Sequence, residues 1–334
     1  MPRTMRAALL HSINALPQVS AVSQPQAQPE TALLELKSAA LNRRDLWIQQ
    51  GAYPKIKLPA ILGSDGSGIV FKHQTQKALK LSSGSEVLIC PSLNWGSKAA
   101  HQAPEFSILG MPSQGTFAER ICVPIENIVI KPEHLAHQEA AALPLAGLTA
   151  WRSIFTKGAL CAGERVLITG VGGGVALFAL QFALAAGAEV FVTSSSQDKI
   201  KKARTLGAQD GVNYTSSGWR KKLPGSFDVI IDSAGGSDFG ELIKLLGMGG
   251  RLCFFGGTRG AWPSILPQHL FFKQASILAS TMGSPAEFKD MCQFVAQHKI
   301  VPVVDSVFPL TELSAALDRL VDPERFGKVV LSIS

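Results

Sequence analysis

The residues best suited to chemistry lie in the stretch Thr169-Gly170-Val171-Gly172-Gly173-Gly174-Val175-Ala176. A short apolar strand is expected over residues 165–169 and a helix over 175–186. A glycine-rich turn between strand and helix lets backbone N–H groups approach a pyrophosphate, and the helix N-terminus favours its negative charge. The literal Gly-x-Gly-x-x-Gly pattern is not met. Read from Val171, Gly173 and Ala176 fill the second and third positions, and Val171 stands where the first glycine belongs. The order strand, loop, helix favours a dinucleotide site over an unliganded tight turn, with Gly172, Gly173, Gly174 and Val175 as its phosphate-facing residues.

The end of the second strand bears on which dinucleotide. NAD enzymes usually carry Asp or Glu there, bonded to the ribose 2′-OH. This chain reads Thr193-Ser194-Ser195-Ser196, and Lys199 and Lys202 follow within a helical turn. A 2′-phosphate suits hydroxyls and lysines and repels a carboxylate, so the expected cofactor is NADPH, held by Ser194, Ser195 and Lys199. The alternative is a solvated basic helix face.

These loops need elements to hold them. Strands and helices alternate from residue 165: strands at 165–169, 189–193, 211–214, 227–232, 251–255 and 276–280, and a helix capped by Ser196 that ends before Gly207. Near-continuously apolar strands alternating with helices imply a doubly wound parallel sheet, an α/β fold. The first 145 residues are instead β-rich, with runs at 5–10, 32–40, 69–71, 86–90 and 117–123 punctuated by Gly, Pro and Ser, as in a barrel or sandwich. Residues 17–29, rich in Gln, Pro and Ser, read as a loop. Residues 139–142 and 147–155 look helical. The tail adds one helix and strands at 306–309 and 329–333.

Composition narrows the classes. Of 334 residues 46% are hydrophobic and 17% charged, against about 25% charged in an average soluble protein. That excludes disorder. Five cysteines are too sparse for a disulfide scaffold. The apolar run 7–10 stops at His11, too short for a secretory signal, and residues 175–192 are interrupted by Gln181, Gly187 and Glu189, unlike a membrane span. A cytoplasmic protein with reduced thiols is expected. The net charge of +7 suits an anionic partner, but the basic residues are scattered and no RNA-binding signature accompanies them.

Six stretches in order then resemble one family: Leu41-Asn42-Arg43-Arg44-Asp45-Leu46; Gly51-Ala52-Tyr53-Pro54; Leu62-Gly63-Ser64-Asp65-Gly66-Ser67-Gly68-Ile69-Val70; Gly115-Thr116-Phe117-Ala118-Glu119; Leu143-Pro144-Leu145-Ala146-Gly147-Leu148-Thr149-Ala150; and the glycine loop. The chain resembles the medium-chain dehydrogenase/reductase superfamily, and within it the zinc-free quinone oxidoreductase-like branch. The resemblance implies a GroES-like β-rich catalytic domain from residues 1–146 with 284–334, and a Rossmann cofactor domain over 147–283, with the active site in the cleft. It implies a homodimer paired near Ile277 and Thr281. It also implies site residues. Asn42, Asp45, Tyr53 and Ser64 line the substrate side, and Thr149 approaches the nicotinamide. Tyr214 lies beside the adenosine phosphate, Gly256, Gly257 and Thr258 pass the nicotinamide ribose, Ser280, Thr281 and Met282 bound the carboxamide, and Lys328 approaches the cofactor. Asp65 is expected to bond backbone groups.

Zinc relatives carry Cys where this chain has Asn42, and His where it has Ser64, and no cysteine stands near Ala146. Those residues cannot readily replace thiolate and imidazole. The pair His134 and His137 reads as a surface helix start, not a metal site. Trp95, Phe271 and Phe272 are candidates for an aromatic wall. Without a Lewis acid, reduction of an already electrophilic acceptor is favoured over alcohol oxidation. The expected activity is NADPH-dependent, zinc-independent hydride transfer to a quinone or α,β-unsaturated carbonyl, a small-molecule substrate. The alternatives are an alcohol or aldehyde dehydrogenase-like enzyme and a non-enzymatic NADPH-loaded RNA-binding or structural protein.

Overall fold

The computed structural model describes residues 3–74 and 81–333. The chain divides into two units, Met1–Ala146 with Ser284–Ser334, and Gly147–Gly283.

The first unit is GroES-like and built on a seven-stranded sheet. Its order is Ile128–Ile130, Glu86–Ile89, Asp65–Gln74, Thr31–Ala40, Lys328–Ser332, Val304–Pro309, and Arg120–Pro124 also pairs with Thr31–Ala40. The C-terminal strand Lys328–Ser332 runs antiparallel to Thr31–Ala40, with Val330 opposite Ala40 and Ser332 opposite Ser38. This pairing joins residues 284–334 to the unit formed by the first 146. The ten-residue strand Thr31–Ala40 buries Leu34, Leu36, Ala39 and Ala40 almost completely. Each such side chain contributes on the order of 1.5–3 kcal/mol if a large aliphatic.

Residues 18–23, read as loop from their composition, form the strand Gln18–Ser23. It pairs antiparallel with Thr4–Leu10, with Met5 opposite Val22 and Leu9 opposite Gln18. Val19 and Val22 pack on the core. Tertiary pairing here overrides weak local propensity. The tail holds two helices rather than one. Pro285–Gln297 starts at a reciprocal cap between Ser284 and Glu287, and Leu313–Val321 buries Leu313, Ala316, Leu317 and Leu320, one face of a helix.

The second unit is a six-stranded, wholly parallel sheet. Its order is Asp210–Asn213, Glu189–Ser194, Arg165–Ile168, Phe227–Asp232, Leu246–Phe254, Ser276–Ala279. Numbered along this unit the order is third, second, first, fourth, fifth, sixth, the Rossmann arrangement, whose ligand crevice lies where the order reverses. The fifth strand starts at Leu246, earlier than its apolar run, because a register irregularity between Phe227 and Val229 absorbs the glycines at 247, 249 and 250. Residues 144–157 form the α-helix Pro144–Trp151 followed by a π-helical turn, Arg152–Lys157. The Ser153 hydroxyl donates to Thr149 O at 2.7 Å, taking an acceptor the regular ladder would use, and Gly158 N donates to Ser153 O.

Candidate functional site

The crevice of the parallel sheet is made by its first, second and fourth strands. Thr169, directly after the first strand, donates from its hydroxyl to Asp232 Oδ1 at 2.6 Å. Asp232 ends the fourth strand, is 2% exposed, and accepts from Ala234 N and Gly235 N at 3.2 and 2.8 Å. One carboxylate thus fixes both loops at the reversal point. Sequence reading did not single out Asp232, though a carboxylate closing an otherwise apolar strand is the signal that would have found it.

The glycine loop is held by the second strand. Val171 N donates to Thr193 O at 2.8 Å and Gly170 N to Thr193 Oγ1 at 3.3 Å. The helix Gly174–Ala185 begins with Gly173 as a cap that has no side-chain acceptor. A Cβ added at Gly170 or Gly173 would meet nothing within 4 Å. The helix buries most of its residues and has no charged residue in its first turn. These are the features of an open anion cradle. Val175 lies in its first turn, and Gly172, at φ +121°, adopts backbone that favours glycine. A Cβ at Gly172 would lie 2.9 Å from Lys199 Cδ and 3.3 Å from Nζ, so the Lys199 side chain lies across the loop.

Ser194 is 3% exposed, and its hydroxyl accepts from Ser196 N at 3.2 Å, while Ser195 is exposed. Ser196 caps the helix Gln197–Thr205 that carries Lys199. Tyr214 N donates to Ser194 O, and the Arg259 guanidinium lies 5.5 Å from the Tyr214 ring centroid. Arg259, held by Asp238 at 2.7 Å, is a cation the sequence reading missed. Gly256 passes so close to Ser233 O that a Cβ would lie 2.6 Å from it, whereas Gly257 and Thr258 are exposed. The Thr149 hydroxyl lies 3.9 Å from Met282 Sδ, so these two expected nicotinamide-side residues meet. Thr281 is exposed. Ser280 is 7% exposed, and its Oγ is buried with no hydrogen-bond partner. An orphaned hydroxyl at a strand end and an uncapped glycine cradle fit a dinucleotide that would satisfy both.

The first unit holds a separate polar cluster. Lys328, 3% exposed, donates to Leu41 O at 2.8 Å, Asn42 Oδ1 at 2.7 Å and Asp65 Oδ2 at 2.9 Å. All three ammonium protons are thereby used within the first unit. Asn42 Nδ2 donates to Asp65 Oδ2 at 2.9 Å, and Leu145 N to Asp65 Oδ1 at 2.8 Å. Asp45 is fully enclosed. It accepts from Asn42 N at 2.8 Å, capping the helix Arg43–Gln49, and from Gly63 N at 3.3 Å. Burial pushes its carboxyl up to about 6, against the opposing pull of Arg44. Arg44, also missed by sequence reading, is 5% exposed and donates to Ser64 Oγ at 2.6 Å and Leu109 O at 2.8 Å. Its Nε lies 3.3 Å from the half-buried Tyr53 hydroxyl.

Trp95 is buried and packs edge-on against Phe106 within the first unit, while Phe271 and Phe272 form an exposed pair on the second. His134 bonds Ile300 O and His137 bonds Ser67 and Glu86. Among the described residues no group of three or more His, Cys, Asp or Glu is placed to hold a metal, and no helix is long and apolar enough to cross a membrane.

Residues 28–133 match the family model described as alcohol dehydrogenase GroES-like domain, and residues 174–297 match the one described as zinc-binding dehydrogenase. The chain is 36% identical to the zinc-type alcohol dehydrogenase-like protein YogA of Leptosphaeria maculans, over 95% of this chain and 94% of that one. It is 27% identical to the acryloyl-coenzyme A reductase of Sulfurisphaera tokodaii, over 93% and 94% of the two chains. The crystal structure of an NAD-dependent alcohol dehydrogenase superposes with a TM-score of 0.92 at 35% identity, covering 99% of this chain and 100% of that one. With the parallel sheet, the open glycine loop and these matches together, the chain is an NAD(P)-dependent oxidoreductase and belongs to the medium-chain dehydrogenase/reductase superfamily.

Proposed function

We propose that the protein is a zinc-independent, NADPH-dependent reductase of quinones or α,β-unsaturated carbonyls. The observation that carries this reading is the occupation of Asn42, Ser64 and Asp65 by internal cations. Lys328 sits on Asn42 and Asp65, and Arg44 on Ser64, all within 2.6–2.9 Å. A zinc ion there would find no thiolate or imidazole and would face two fixed positive charges. Zinc does not fit this donor set. The acceptor must therefore be electrophilic without metal help, as the acrylyl thioester named for the Sulfurisphaera relative is.

Bound NADPH supplies the hydride. The chain's residues do the rest. Gly172, Gly173, Gly174 and Val175 offer backbone to the pyrophosphate, and Lys199, Ser194, Ser195 and Tyr214 meet the adenosine side. Thr149, Gly256, Gly257, Thr258, Ser280, Thr281 and Met282 border the nicotinamide side. Tyr53 and Asn42 orient the acceptor, with Asp45, Ser64 and Lys328 holding them in place. The strand Ser276–Ala279 closes the parallel sheet, bonded on one side only. With Met248, Leu266, Phe271 and Phe272 exposed on the same unit, it supports pairing into a homodimer, which sedimentation would reveal. The thiols suit a cytoplasmic setting.

The test is consumption of NADPH with a panel of quinones, enones and an acrylyl thioester, on protein whose metal content is measured. Turnover with substoichiometric zinc is expected. An alcohol-oxidising enzyme is the second reading, favoured by the superposed NAD-dependent alcohol dehydrogenase. Stoichiometric zinc, or NAD-dependent alcohol oxidation exceeding all acceptor reduction, would establish it.

A further inference from the structure

We propose that Arg44 is a positioning residue that turns the Tyr53 hydroxyl outward as a hydrogen-bond donor to the oxygen of a carbonyl or quinone. The inference rests on the reductase reading above and adds to it the residue that prepares the donor.

Arg44 lies in the helix Arg43–Gln49, and its guanidinium is pinned at the far end. Nη1 donates to Ser64 Oγ at 2.6 Å and to Leu109 O at 2.8 Å, and Nη2 lies 3.4 Å from Met111 O. Ser64 Oγ donates in turn to Leu109 O at 2.8 Å. A guanidinium is planar, so fixing one edge fixes the direction of Nε. That Nε donates to Tyr53 Oη at 3.3 Å, and the cation lies 4.8 Å from the Tyr53 ring centroid.

A phenol has one proton to give. Nε carries no lone pair to accept it, so the Tyr53 proton must point elsewhere. Among the described residues no protein acceptor receives it. Tyr53 is half-buried: it packs against the core of its unit and keeps part of its surface in solvent. A fixed cation behind a donor also strengthens that donor toward an oxygen that gains negative charge. Ser64 thus acts as a bracket for Arg44.

The chain has two tyrosines, so protein labelled with 13Cζ-tyrosine gives two NMR signals, and Tyr53→Phe identifies one. Arg44→Met should move the Tyr53 signal and leave the other. Cyclohexanone added without cofactor should move it in the wild type and much less in Arg44→Met. With the best acceptor, Tyr53→Phe and Arg44→Met should each lower kcat by about 100-fold, the low end of what a lost oxyanion donor costs. The double variant should be no slower than Tyr53→Phe, and Arg44→Lys should recover part of the loss. An unmoved Tyr53 signal in Arg44→Met, no response to saturating cyclohexanone, or a double variant slower by the product of the singles would overturn the inference. Absence of turnover in the wild type sinks the reductase reading alone, since the two NMR outcomes still decide the role of Arg44.

Discussion

The Lys328 ammonium lies 2.9 Å from Asp65 Oδ2, across 263 positions of sequence, and both side chains are almost wholly out of water. A buried pair of this kind is costly to break from one side, because the remaining charge loses its counterion without regaining water. Lys328→Met should destabilise the protein by about 3–5 kcal/mol in urea unfolding. Adding Asp65→Asn should recover a substantial part. If the double variant is less stable than Lys328→Met, the pair is not the source of the loss.

Lys199 crosses the glycine loop at Gly172, and this contact bears on cofactor choice. Lys199→Glu should weaken NADPH binding by about tenfold or more, an effect of at least 1.4 kcal/mol, and change NADH binding little. Gly172→Ala should instead weaken both cofactors, since the new methyl would strain a φ of +121° in the loop that faces the shared pyrophosphate, besides displacing Lys199 Cδ. Equal losses for the two cofactors in Lys199→Glu, measured by titration calorimetry, would refute the assignment of Lys199 to a 2′-phosphate.

Ser280 gives a prediction with opposite signs in two measurements. Its Oγ is buried without a partner. Removing an unsatisfied hydroxyl does not cost apo stability, whereas removing one that bonds a ligand costs about 0.5–1.5 kcal/mol. Ser280→Ala should leave the apo melting temperature unchanged or raised and weaken the dinucleotide several-fold. A lower apo melting temperature with unaltered binding would contradict the nicotinamide-side placement.

Asp45 sets a pH dependence. Its folded carboxyl titrates near 6, above the ordinary value of 3.8. Between these values the unfolded chain ionises while the folded one stays protonated, so stability falls as pH rises through that window and levels off above it. Asp45→Asn removes this slope. The wild type should lose on the order of 2–3 kcal/mol relative to the variant between about pH 4 and pH 6. Parallel urea profiles over that window would count against it.

Much of the parallel sheet was legible in the sequence, because its strands are buried on both faces and so read as unbroken apolar runs. The glycine loop was legible because phosphate binding constrains backbone, which leaves glycines in the sequence. The strand Gln18–Ser23 was hidden because its partner, Thr4–Leu10, decides its state. The π-helical turn at Arg152–Lys157 depends on a hydroxyl bond from Ser153 that no periodicity reveals. In the polar cluster, the sequence offered Asn42, Asp45, Ser64 and Lys328 as separate candidates. That Lys328 spends its charge on Asn42 and Asp65, and that Arg44 bridges Ser64 to Tyr53, follows from contacts between distant segments.

The pairing of Lys328–Ser332 with Thr31–Ala40 has a consequence for biosynthesis. During translation the N-terminal unit lacks one strand of its sheet, and Asp65 its cation, until residues 328–332 have left the ribosome, after the whole parallel-sheet unit. The parallel-sheet unit, contiguous over residues 147–283, has all its strands earlier and can fold first. For that interval the edge at residues 38–40 of Thr31–Ala40 stands open to pairing with other chains. Expression yield should therefore be more sensitive to chaperone supply than the finished protein's stability would suggest, and truncation before Lys328 should leave the parallel-sheet unit foldable while its companion aggregates.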